Sequence, residues 1–432
     1  MRVLFISANT ERINILPMPL GLNCVAVATR YAGHDVKLVD LMIEENTQPV
    51  IEEAIEGFHP DIVGISVRNI DDQDMENPRF LLDQVKEVVM DCRNLSDAAI
   101  IVGGAGYSIF PGAALAYLGA DMGIQGEGET VFPALLDRIQ QGADLSELPG
   151  LYLPRRGLQA KREFTEDLDT LPLPDPHLWY RSAPDDHELW MPFQTRRGCP
   201  MNCSYCSTPT IEGHTLRKRS PGAAVEGIAR HVEAGFRCFY FVDNIFNIPS
   251  SYARELCQRL IAEELQASWR SILYPGKVTE DLIKGMARAG CKEASLGFES
   301  GCDRILRNIN KKFTTHEVRE TSEMLADNGI RQMGFLLLGG PGETKESVEE
   351  SFAFADSLNL DALKITLGIR IYPYTALAKI AVAEGLIPPD DDLLFPKFYM
   401  VRGLEDWLRE TVMAWMADKR GSGLEGARRS LA

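Results

Sequence analysis

The chain has 432 residues, 45% hydrophobic and 25% charged, a globular composition too long for one core, so two or three domains are expected. A formal net charge of −17 speaks against a polyanionic partner, because phosphate backbones are gripped by excess Lys and Arg, and nucleic acid is not expected as a substrate. No stretch approaches the ~20 uncharged apolar residues of a membrane span, and the first residues run straight into a strand-like pattern, so a cytoplasmic protein without a membrane span is expected.

From residue 1 to 142, short apolar runs alternate with amphipathic stretches. The pattern predicts strands at 3–7, 35–40, 62–66, 99–102 and 122–125, and helices beginning near Leu20, Pro49, Asn77, Pro111 and Glu129. Five βα units imply an open parallel α/β sheet covered on both faces, whose ligands sit at the carboxyl ends of the strands. Two turns at those ends stand out. Gly103-Gly104-Ala105 follows a buried strand without side-chain bulk and would let a flat group slide between the sheet and a helix. Gln125-Gly-Glu127-Gly-Glu129 offers backbone N–H groups and a carboxamide. Tight βα turns alone would also explain these glycines. His34 and His59 read as ordinary surface or partly buried residues.

Residues 143–190 lack sustained periodicity and form a linker. A hairpin (151–156 with 161–164) precedes the proline-rich run 171–176, which favours an extended crossing. His177, Trp179, His187 and Trp190 either approach a substrate or pack between domains.

Cys199, Cys203 and Cys206 follow in a Cys-x3-Cys-x2-Cys frame, which brings three thiolates into one tight loop. No fourth cysteine or histidine is within reach, so the frame fits an inorganic cluster with one corner left for a small molecule; a zinc loop or three unrelated thiols are the alternatives. The other six cysteines are scattered in apolar contexts and read as reduced. The basic run Arg217-Lys218-Arg219 reads as a solvated loop or a local salt-bridge site.

A second βα series follows, with strands predicted at 193–197, 238–242, 269–273, 294–298, 333–338 and 362–369. Their carboxyl ends carry Asp243-Asn244, Glu299-Ser300 and a glycine-rich turn at Gly339-Gly340 that lacks the Lys-Ser/Thr pair of a phosphate loop. Tyr372 and Tyr374 close the series and either face a substrate or pack under the C-terminal helices. The helix at 404–419 is expected to cap the barrel mouth, and 421–432 to fray.

The cysteine frame and the six strands resemble the radical S-adenosylmethionine (SAM) enzymes. Ser66 and Gly103-Gly104 further resemble the cobalamin-binding domain that precedes the barrel in one subgroup. The resemblance implies a fold of class α/β: a flavodoxin- or Rossmann-like doubly wound parallel sheet (1–142), a linker (143–190), a partial (β/α)6 barrel (191–375) and a helical C-terminal region (376–432). It implies a [4Fe–4S] cluster on the three cysteines, SAM near Tyr205, Asp243, Asn244, Glu299, Ser300 and Gly340, and cobalamin near Asn9, Thr10, Ser66, Arg68, Asn69, Gly103, Gly104, Ala105, Gln125 and Glu127. Asp243-Asn244 stands where the family often has Gly-Gly-Glu for the SAM amino group. The Asp-x-His-x-x-Gly loop that ligates cobalt in the methionine-synthase type is missing, so base-off cobalamin without a histidine ligand is expected, its lower face lined by Arg68, Asn69 and Asp71. Tyr372 or Tyr374 would serve catalysis. The implied activity is methylation of an unactivated carbon in a small, lipid-like or natural-product substrate, through a 5′-deoxyadenosyl radical and methylcobalamin, with flavodoxin or ferredoxin as one-electron reductant. A cobalamin-dependent cyclase or oxidase, and a cobalamin or cluster sensor without chemistry, are the alternatives.

Overall fold

The computed structural model describes residues 1–11, 18–42, 44–178, 189–421 and 428–431, with side chains as far as residue 417. Trp179, His187 and much of the first loop (12–17) lie outside the described residues. The N-terminal unit runs β1 (Arg2–Ser7), α1 (Leu20–Tyr31), β2 (Asp35–Asp40), α2 (Thr47–Phe58), β3 (Ile62–Ser66), α3 (Leu82–Leu95), β4 (Ala99–Gly103), α4 (Ala105–Ile109), α5 (Pro111–Leu118), β5 (Met122–Ile124), α6 (Gly128–Gln141), β6 (Leu151–Leu153) and β7 (Gly157–Leu158). The sheet order is β2-β1-β3-β4-β5-β6-β7, with the first five strands parallel. Strand order therefore reverses between β1 and β3, where a doubly wound sheet opens a crevice for a ligand. Val3 and Phe5 pack under α1 and α6, while Leu4 and Ile6 pack under α2, α3 and α5, so both faces are covered.

Two N-terminal expectations are corrected. The helix expected from Asn77 begins at Leu82, because Asp71, Asp72 and Asp74 accept the backbone N–H groups of Gln73, Asp74 and Glu76 and hold a run of turns. The hairpin returns at Gly157–Leu158 rather than at 161–164. That later segment leaves the sheet: Phe164 lies between the guanidinium groups of Arg162 and Arg217, each 4.8 Å from its ring.

The second unit runs β8 (Met191–Phe193), β9 (Arg196–Arg197), α7 (Thr208–Glu212), β10 (Arg217–Lys218), α8 (Pro221–Glu233), β11 (Cys238–Phe241), α9 (Ser250–Ala262), β12 (Ser268–Leu273), α10 (Glu280–Arg288), β13 (Cys291–Glu299), α11 (Asp303–Asn308), α12 (Thr315–Asp327), β14 (Arg331–Leu338), α13 (Lys345–Asp356), β15 (Ala362–Leu367), β16 (Ile369–Arg370), α14 (Ala376–Ala383), β17 (Phe398–Tyr399), α15 (Glu405–Gly421) and β18 (Arg428–Leu431). The main sheet is all parallel in the order β8-β11-β12-β13-β14-β15-β18. Strand residues alternate between buried ones facing the helices and half-exposed ones such as Tyr240, Arg270 and Lys364 facing the lumen.

Three further expectations change here. The first barrel strand splits, since Asp243 accepts the N–H groups of Thr195 and Arg196 and turns the chain out of the sheet into β9. Residues 428–431 add a seventh strand beside β15 rather than fraying. Helix α15 does not cap the mouth. Leu408, Val412 and Met416 pack on the outer layer with Val348 and Phe352, and Trp415 stacks on Phe352 at 4.8 Å. No helix among the described residues is long and apolar enough to cross a membrane.

Candidate active site

At the carboxyl edge of the first sheet, Ser7, Ser66 and Gly103 stand side by side across β1, β3 and β4. Beneath them, between the sheet and helices α1 and α6, lies a cavity of about 370 Å³, floored by Phe5, Gly64, Ile101 and Phe132. The glycines divide by role. Gly104 has φ +104°, and a Cβ there would stand 2.6 Å from the Val67 carbonyl, so the backbone itself demands glycine. A Cβ at Gly103 would meet only the Ile124 carbonyl, at 3.4 Å, and would otherwise project into the cavity. The space at Gly103 thus serves an occupant rather than the fold.

Of the residues expected to touch cobalamin, Ser66, Arg68, Gly103, Gly104, Ala105 and Glu127 line this cavity. Arg68 reaches solvent through the cavity it lines, and burial lowers its pKa. It forms no hydrogen bond or ion pair among the described residues. Asn9, Thr10, Asn69 and Gln125 do not line the cavity. Asn9 folds back on the Glu11 backbone, Thr10 donates to Gln84, and Gln125 donates to the Ser108 carbonyl. Asp71 is likewise spent: it forms a buried ion pair with Arg370 Nε at 2.7 Å, tying the loop after β3 to the end of the barrel.

The cavity's far wall belongs to the barrel, through Pro192, Gln194, Arg197 and Glu212. Arg197 donates to Glu129 at 2.5 Å and faces Glu127 at 3.3 Å, while Arg217 pairs with Glu127, all nearly buried. Of the basic run, Arg217 is a local salt-bridge residue, Lys218 is exposed and Arg219 donates to the Leu168, Leu171 and Pro172 carbonyls, and Glu127 is a clasp as much as a cavity wall. The network continues inward. Gln194 bridges Arg197 Nε (3.1 Å) and Glu212 (2.8 Å), and Glu212 accepts the N–H of Gly198, next to Cys199.

Cys199 is buried and Cys203 and Cys206 half-buried. Gly198, at φ +83°, turns the chain into the loop where a Cβ would collide with the Thr215 carbonyl. The loop is held by its neighbours: Cys199 N–H donates to Gly213, Ser204 N–H to Ile309 (3.0 Å), and Leu377 N–H to Ser204 (2.8 Å). Burial pushes the Cys199 thiol up to about 11 and raises Cys203, so an incoming metal would have to displace their protons.

The strand-end residues divide again. Tyr205 donates to Glu299 at 2.9 Å, and Glu299 takes a left-handed φ of 61°. Gly340 lies in the turn after β14 beside Ile369. Asp243 is engaged within the protein: fully buried, it accepts from Thr195 Oγ1, two backbone N–H groups and the Arg196 guanidinium, the last at 2.8 Å. Ser300 is equally buried, bonded to Ser351 and to Cys302 N–H. Asn244 joins the network by donating to Glu212 at 2.6 Å. Tyr372 is mostly buried, close to Asp71 and Cys206; burial first and Asp71 second raise its hydroxyl pKa. Tyr374, past Pro373, is 87% exposed. Sequence reasoning missed Arg197, Glu129, Arg370 and Lys311, the last with Nζ 3.1 Å from Glu299, as site residues. Arg197 and Glu129 carried a signal, the first standing two residues before Cys199 and the second closing the glycine turn after β5.

A glycine-lined cavity at a topological switch point, facing a three-cysteine loop on a parallel barrel, defines a two-cofactor α/β enzyme. Two family models match the chain: the B12 binding domain over residues 9–136 and the Radical SAM superfamily over residues 194–355. The chain is 28% identical over 402 residues to an uncharacterized methyltransferase of Pyrococcus horikoshii, covering 90% of this chain and 84% of that one. It is 24% identical to tryptophan 2-C-methyltransferase of Streptomyces laurentii, covering 86% and 73%. Among solved structures it superposes on the radical SAM methyltransferase TsrM of Kitasatospora setae, with cobalamin and a [4Fe–4S] cluster bound, at a TM-score of 0.84, 21% identity and coverage of 96% and 88%. The chain belongs to the radical SAM enzymes that carry a cobalamin-binding domain.

Proposed function

We propose that this enzyme methylates a carbon centre of a small or lipid-like natural-product substrate, using a [4Fe–4S] cluster on Cys199, Cys203 and Cys206, SAM, and cobalamin in the cavity of the first sheet. When bound, the cluster supplies an electron to SAM and cobalamin carries the methyl group. One observation carries the reading: the cavity of the first sheet is walled by Arg197, which stands two residues from the first cysteine, so the two cofactor sites share a boundary.

The chain's own residues bind, orient and exclude water. Ser7, Ser66 and Gly103 leave the slot for the nucleotide tail, and Arg68 brings a guanidinium to its wall. Glu127 and Glu129 hold the cysteine loop against the first unit through Arg197 and Arg217. The Asp71–Arg370 pair seals the opposite side, and Tyr372, its ring 5.1 Å from the Arg370 guanidinium, is assigned to the substrate. Tyr205 and Glu299 line the cluster's side of the barrel and are assigned to SAM. Flavodoxin or ferredoxin in the cytoplasm is the proposed electron source.

The test is anaerobic. Protein reconstituted with iron, sulfide and hydroxocobalamin should show base-off cobalamin and release 5′-deoxyadenosine on addition of SAM and reductant, and Cys203→Ala should abolish that release. Candidate substrates should gain the mass of one methylene; loss of two hydrogens would identify a cyclase or oxidase instead, and binding without SAM cleavage a sensor.

A further inference from the structure

The turn between α11 and α12, residues 309–312, is docked on the cysteine loop. Ile309 accepts the Ser204 N–H at 3.0 Å, and the Asn310 carboxamide donates to the Asn202 carbonyl. Asn310 takes a left-handed φ of 61° to make the turn. Two lysines follow, and they are treated oppositely. Lys312 points to solvent, bonded to Asn310. Lys311 turns inward, its side chain only 9% exposed, with Nζ 3.1 Å from Glu299 and 5.5 Å from the centre of the Tyr205 ring.

A buried ion pair is costly, and this one is held against the cysteine loop: its turn is hydrogen-bonded to Asn202 and Ser204, on either side of Cys203, and Nζ stands over the ring of Tyr205, the residue before Cys206. Each charge of the pair therefore acts on the cysteine site from within the protein, where it is only weakly screened. Resting on the cluster assignment above, we propose that Lys311 is a fixed cation that sets the cluster's reduction potential, with Glu299 as the counter-charge that holds it there. One electron from the external reductant converts the cluster from its 2+ to its 1+ core and adds one negative charge to the site. No bond changes and Lys311 stays protonated, so a cation beside the thiolates favours the reduced state and raises the potential. Its place against Tyr205 and the loop backbone makes Lys311 a positioning residue, acting through the cluster rather than on the substrate.

The experiment is a redox titration of the full-length reconstituted protein without SAM, followed by electron paramagnetic resonance of the reduced cluster, with iron and sulfide contents measured for each variant. At the potential that half-reduces the wild type, Lys311→Met should lower the reduced-to-oxidised ratio about tenfold, about 59 mV for a one-electron couple, and Lys311→Arg should restore most of it. Glu299→Gln should shift the midpoint the opposite way. An unchanged midpoint in a fully loaded Lys311→Met protein, or shifts of the same sign in the Met and Gln variants, overturns the proposal. If Lys311→Met fails to take up the cluster, Glu299→Gln decides alone: an upward shift supports the proposal, and none or a downward one overturns it. A wild type that binds no iron or sulfide overturns the cluster assignment itself, a result distinct from any shift.

Discussion

The two cofactor regions of this molecule are built by opposite means. The slot in the first sheet is made by omission: Ser7, Ser66, Gly64 and Gly103 leave room over Phe5, Ile101 and Phe132. The cysteine loop is made by addition: Arg196, Arg197, Arg217, Glu127, Glu129, Glu212, Asp243, Glu299 and Lys311 are turned inward around it and paired. The difference follows from what each must hold. A large organic tail supplies its own surface and asks for volume, whereas a small charged cluster asks for an anchored loop and a balanced field.

The largest effect expected from breaking this contrast is at Asp243. Removing its carboxylate in Asp243→Ala leaves the Arg196 guanidinium, 1% exposed, without its ion-pair partner, and frees the backbone kink that starts the loop. Loss of a partner in such a pair costs about 3–5 kcal/mol, so the barrel should unfold many degrees lower by differential scanning calorimetry. Equal stability of the variant would mean that the inward charges are incidental to the fold.

A paired substitution sharpens the other side. Gly103→Val should leave the thermal stability of cobalamin-free protein close to wild type, because its only near neighbour is the Ile124 carbonyl at 3.4 Å, while weakening cobalamin binding by about 100-fold or more through lost space. Gly104→Val should do the reverse and destabilise the fold by about 2–3 kcal/mol, since a β-branched residue tolerates neither φ +104° nor the Val67 carbonyl at 2.6 Å. Hydroxocobalamin titration and thermal unfolding of both variants check the pair. Equivalent behaviour would erase the distinction between a glycine for the ligand and a glycine for the chain.

What the sequence made legible follows the same division. The omissions were readable: the strand periodicity, the glycines at 103 and 104, and the cysteine frame are local patterns. The additions were not, because a side chain's partner is a tertiary fact. Asp243 and Ser300 sit at strand ends as a ligand-binding residue would, yet the first is consumed by Arg196 and the second by Ser351. Lys311 carries no local mark that separates it from Lys312. Tyr372 and Tyr374 are two residues apart, yet Tyr372 is largely covered while Tyr374, with a left-handed φ of 63°, is 87% exposed.

The smallest effect tests whether the slot's edge resists unpaired charge as the contrast requires. Asp40, at the end of β2 beside Ser7, has its carboxyl pKa raised to about 6, burial outweighing the hydrogen bonds from Ser7 and the Met42 N–H. Because the folded value lies above the unfolded one of about 3.9, the stability attached to this group is fully present below pH ~4 and is lost as pH rises through 6. Asp40→Asn keeps the acceptor for Met42 without the charge. It should therefore be more stable than wild type by about 3 kcal/mol at pH 8, with the gap closing between pH 6 and 4 and absent below that range. Urea denaturation of cobalamin-free protein at pH 4, 6 and 8 measures it. A gap that does not shrink toward acid would show that the gain comes from packing rather than charge, and the slot's edge would then be no more averse to ions than the cysteine loop.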